Sequence, residues 1–108
     1  MFKVTPDPTF PAQVKIPVPG GEPQILNLEF KFNSLSKLEE TQKKVNEGLA
    51  KRDSEALKSL LFSLIASWDA DMELNEQNFG LLLENYPSAF TRIFVKYVEE
   101  ITGAKEKN

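Results

Sequence analysis

The densest run of potential ligand atoms in the sequence is Asp69-Ala70-Asp71-Met72-Glu73-Leu74-Asn75, with a side-chain oxygen at every second position. Alternate oxygens are how a calcium loop begins. A loop of that kind also needs glycine at its sixth position, for the sharp turn, and a bidentate glutamate at its twelfth. Counted from Asp69, those positions hold Leu74 and Gly80. The stretch therefore reads as an acidic turn without a metal. Asn75 caps a following helix, and Glu76 sits near the positive end of its dipole.

Other chemistry is harder to assemble. With no histidine and no cysteine in the chain, imidazole acid/base catalysis, His- or thiolate-ligated zinc and disulfides are excluded. A carboxylate pair could serve a hydrolase, but no readable spacing brings two carboxylates together on an apolar background. Gly20-Gly21 lies in a turn with no helix behind it, so it makes a poor phosphate cradle. Trp68, Phe79, Tyr86, Phe90, Phe94 and Tyr97 could stack on bases, yet no basic groove accompanies them. Lysine and arginine total 13 against 16 aspartates and glutamates, a net charge of −3. That balance argues against nucleic acid as a partner. The composition calls for neither a catalytic centre nor a cofactor.

These residues must be positioned by a small domain. A chain of 108 residues with 41% hydrophobic and 27% charged content can bury a core of its own. No apolar run approaches the ~20 residues of a membrane span, and MFKVTPDPTF lacks the continuous apolar core of a signal peptide. Residues 1–11, with Pro6, Pro8 and Pro11, read as a flexible arm that Phe2 and Phe10 could pin down. Residues 12–103 read as a single domain, and 104–108 as a polar tail.

Hydrophobic period decides the elements. Val14, Ile16 and Val18, then Leu26, Leu28, Phe30 and Phe32, alternate with polar residues or proline around Pro19-Gly20-Gly21-Glu22-Pro23. That is a β-hairpin over residues 12–32. Pro17 makes its first strand an edge. A lone hairpin is marginal, so its even-numbered face must meet helices or a third strand from another chain. After Phe32 the period changes to that of helices. Ser36 to Glu39 fits a capping box, Gly48 should weaken or end the first helix, and Asp53 caps the second. The second helix carries Leu57, Leu60, Leu61, Leu64, Ile65 and Trp68 as its stripe, with Trp68 largely buried at its end. The third runs from Glu76 to Tyr86. Proline disfavours helix in the residue before it but suits a first turn, so Pro87 separates the third helix from the fourth. Phe90, Ile93, Phe94, Tyr97, Val98 and Ile101 line the fourth, and Gly103 ends it. The fold class is α+β: an N-terminal hairpin followed by about four helices.

An ideal helix advances roughly 100° per residue. By that geometry Phe62 points away from Leu57 and Leu61. Leu81 lies opposite Phe79 and Leu83, and Val95 falls outside the stripe of Phe90, Ile93, Phe94 and Tyr97. Single exposed apolar residues are ordinary, and helices packed on two sides would also account for these. Phe62, Leu81 and Val95 are nevertheless the candidate partner-binding residues, for a client or a second copy.

The order of an apolar stretch ending in Trp, an acidic turn, leucines, Tyr-Pro and an amphipathic helix resembles the tail assembly chaperones of long-tailed bacteriophages. Here it is carried by Ile65, Trp68, Asn75, Asn78, Leu82, Leu83, Tyr86, Pro87, Ala89, Ile93, Tyr97 and the terminal Lys107-Asn108, with the strand from Leu26 to Phe32 before them. The resemblance implies a non-enzymatic assembly factor in the host cytoplasm, absent from the finished virion. Its implied partners are the tape measure protein and the tail tube protein. It also implies that in many relatives a ribosomal frameshift appends a second domain, so that Lys105 to Asn108 would end only a short form. Outside the resemblance, a structural tail component, a regulator and an enzyme stay open.

Overall fold

Pro11 stands inside a β-strand, at a position that faces away from the neighbouring strand. In the computed structural model, which describes residues 1–104, β1 (Thr9–Ile16) pairs antiparallel with β2 (Gln24–Lys31). The Phe32 N–H donates to the Pro8 carbonyl at 2.8 Å. Since hydrogen-bonded pairs alternate along the ladder, the residue opposite Glu29, which is Pro11, turns its nitrogen outward. A missing N–H is harmless there, and β1 is the edge strand that a proline requires. The strand begins at Thr9, so Phe10 belongs to the sheet rather than to the arm. Phe2 is 86% exposed and pins nothing.

The third strand comes from the chain itself. Residues expected to finish the second helix instead form β3 (Ile65–Trp68), antiparallel to β2 in the order β1-β2-β3. The misreading has a physical cause. Phe30 pairs with Ile65 and Leu28 with Trp68, and a register shift lies between Glu29 and Phe30. Such a bulge places an extra residue in one strand. Two core-facing side chains then stand three apart, a spacing that imitates a helix. Trp68 is partly buried and packs against the core.

Among the described residues four helices share one core with the even-numbered face of the hairpin: α1 (Leu35–Lys51), α2 (Ser54–Phe62), α3 (Glu76–Asn85) and α4 (Ala89–Thr102), with α4 against β1. The cap of α1 is Ser34, not Ser36; its hydroxyl accepts from the Lys37 N–H at 3.4 Å. Nor does Gly48 end α1, which continues to Lys51 and stops at Arg52 in the left-handed region, φ 53°. Gly48 is instead where α1 and α2 touch: a Cβ there would lie 2.8 Å from Leu57 Cδ2. Asp53 caps α2 through the Ala56 N–H, 3.1 Å. At the other joint α3 stops before Tyr86-Pro87, and the Ala89 N–H donates to the Tyr86 carbonyl at 2.8 Å. Gly103 takes φ 69° and ends α4.

Two aromatic groups bind the layers. Phe30, fully buried, has its ring 5.0 Å from that of Tyr97 on α4 and 5.7 Å from that of Phe10. Phe79 on α3, also fully buried, lies between Phe62, 5.9 Å, and Trp68, 6.2 Å. The Lys107-Asn108 pair of the resemblance and most of the polar tail lie outside the described residues.

Candidate partner-binding surface

The acidic turn is committed to holding the fold. The Asp69 N–H donates to the Asn27 carbonyl at 3.1 Å, and its carboxylate accepts from the Asn27 N–H, 2.9 Å, and Nδ2, 2.6 Å. Those side-chain and backbone bonds from Asn27 hold the Asp69 carboxyl below its ordinary pKa. Trp68 Nε1 donates to the Met72 carbonyl at 2.7 Å, and Asn78 Nδ2 to the Glu73 carbonyl at 2.7 Å. Asn75 caps α3 by accepting from the Asn78 N–H at 2.8 Å. The Ser59 hydroxyl donates to Glu76 at 2.6 Å and so links α2 to α3. Among the described residues, no group of three or more carboxylates is placed to share a metal ion.

The structure separates the three candidate partner-binding residues. Phe62 does not face outward: it is half-buried, packed on Phe79. Helix geometry failed here because α2 ends at Phe62 and the chain turns into β3, which brings α3 over that face. Leu81 and Val95 are exposed, at 44% and 46%. Val95 lies in a groove of about 450 Å³ between the β1 edge and the flank of α4, and Leu81 is not part of it. Ile25, 52% exposed, contributes the groove's second exposed large apolar side chain, beside the buried Val14. The sequence hides it, since Ile25 sits at an odd-numbered position of a strand whose even positions form the core. A signal was present all the same: Ile25 is the one large apolar residue at an odd position of β2. Lys15, Arg92, Lys96 and Glu99 are the groove's charged lining groups, with Gln13 and Thr91 beside them, and Lys96 pairs with Glu100 at 3.5 Å. An apolar strip inside a charged rim suits protein–protein contact. No helix of the described residues is long and apolar enough to cross a membrane.

A family model described as phage tail assembly chaperone matches residues 1–108, the whole chain. Neither a curated protein nor a solved structure matches it. The chain belongs to the phage tail assembly chaperone family.

Proposed function

We propose that this tail assembly chaperone binds the tape measure protein of its phage, keeps that long helical protein soluble, and helps tail tube protein polymerise around it. It does this by binding alone, without catalysis. The work takes place in the host cytoplasm, and the chaperone is left behind when the virion is complete. The observation that carries the reading is the family match over the full chain. Exposed apolar side chains support it: Val95 and Ile25 share a groove, and Leu81 stands on α3. A client's apolar surface would cover them. In the absence of client a second copy takes the same groove, giving a weak homo-oligomer. Co-expression tests the function. The tape measure protein should be soluble when made with this chain and aggregated without it. Equal solubility in both cases would reject the proposal.

A further inference from the structure

Beyond the hairpin a cleft of about 410 Å³ opens between the end of the sheet, the acidic turn and the end of α3. Its walls include Ile16, Val18, Leu26, Leu82 and Tyr86, with Ala70 from the turn. This volume is near the lower end for ligand pockets and suits one or two side chains. Asp69 and Asp71 are its charged lining groups, and among the described residues no lysine or arginine lines it. The two carboxylates differ. Asp69 is held by Asn27, whereas Asp71 is exposed and has no hydrogen-bond or ion-pair partner among the described residues.

We infer that this cleft receives a large apolar side chain that a partner segment presents next to lysine or arginine. Apolar walls reward burial of the side chain. An unpaired carboxylate in the lining attracts a neighbouring cation and repels an acidic segment, which is how charge selects among partners of similar shape. Along β2 recognition is by side chains, because that strand is already paired on both sides. Joined to the proposed function, this makes the held stretch of tape measure protein cationic and amphipathic. The inference rests on that reading only for the identity of the client.

A fluorescein-labelled amphipathic helical peptide, with a leucine face bordered by lysines, serves as probe. Its control is the same peptide with glutamate for every lysine. The intact chain should bind the lysine peptide at least about tenfold more tightly, and added salt should weaken that binding. Asp71→Lys should reduce it by about tenfold. Val18→Ser should reduce it by about threefold with an unchanged melting temperature, and methyl resonances of Ile16, Leu26 and Leu82 should shift on titration. Equal binding of the two peptides, no binding up to about 1 mM, an indifferent Asp71→Lys, or shifts centred on Val95 would each overturn the inference. So would sedimentation of the protein alone showing self-association that Asp71→Lys abolishes, since a second copy would then fill the cleft. Capture of the tape measure protein is scored separately. Capture without peptide binding rejects only the cleft, and peptide binding without capture rejects only the proposed client.

Discussion

The Tyr97 hydroxyl, midway along α4, donates a hydrogen bond to the Lys31 carbonyl at the end of β2, at 3.0 Å. It joins the last helix to the central strand across 66 residues of sequence. The ring is fully buried between Phe10 and Phe30, and burial raises its pKa above the ordinary tyrosine value, against a smaller opposing effect of Asn33. A tyrosine whose pKa is raised by folding stabilises fully below its unfolded pKa and loses that contribution as pH rises through the folded one. Tyr97→Phe should therefore lower stability at neutral pH by about 1 kcal/mol. In denaturant melts above pH 10 the gap between variant and parent should narrow. A gap that widens with pH would contradict this.

Asp69 acts at the other end of the pH scale. Its bonds to Asn27 depress its pKa, so its contribution is present above the unfolded carboxylate value and is lost as pH falls through the folded value. Asp69→Ala should melt at a lower temperature at pH 7 and should flatten the fall in melting temperature between pH 5 and pH 3. Parallel curves for variant and parent would show that the Asn27 bonds carry no linkage.

Gly48 is a point of close contact between α1 and α2. A methyl group there gains up to about 1 kcal/mol of helix propensity but meets Leu57 at 2.8 Å, and overpacking of this kind costs about 1–3 kcal/mol. Gly48→Ala should be net destabilising, and Leu57→Ala should cost less in its background than alone. Strict additivity in the double-mutant cycle would mean that the helices part without strain.

Phe62 and Val95 should respond in opposite ways. Phe62→Ser removes a half-buried ring packed on Phe79 and should cost about 1–3 kcal/mol, below the scale of losing a fully buried aromatic side chain. Leu81→Ser and Val95→Ser, on exposed positions, should stay within about 0.5 kcal/mol of the parent. Chemical denaturation of the three single variants decides it.

Much of the architecture was legible because it rests on local signals. Period-two alternation found the hairpin, Asn75 and Asp53 announced their helices, and Tyr86-Pro87 marked the corner between α3 and α4. What stayed hidden depended on partners distant in sequence. The bulge in β3 gave Ile65 and Trp68 a helical spacing, and only pairing with Phe30 and Leu28 makes them a strand. Gly48 looked like a helix breaker until α2 was laid against it. The helical-wheel placement of Phe62 was lost where the chain changes direction, whereas Leu81 and Val95, inside uninterrupted helices, are exposed as that geometry expects.

Affinity capture tests the central claim most directly. The tagged chain and the tape measure protein encoded by the same phage are co-expressed, and the amount retained is compared between the parent and the Leu81→Ser, Val95→Ser double variant, with thermal melts alongside. Capture by the parent, and its loss by a double variant that melts normally, is the predicted result. No capture by the parent, or undiminished capture by a folded double variant, would contradict the account.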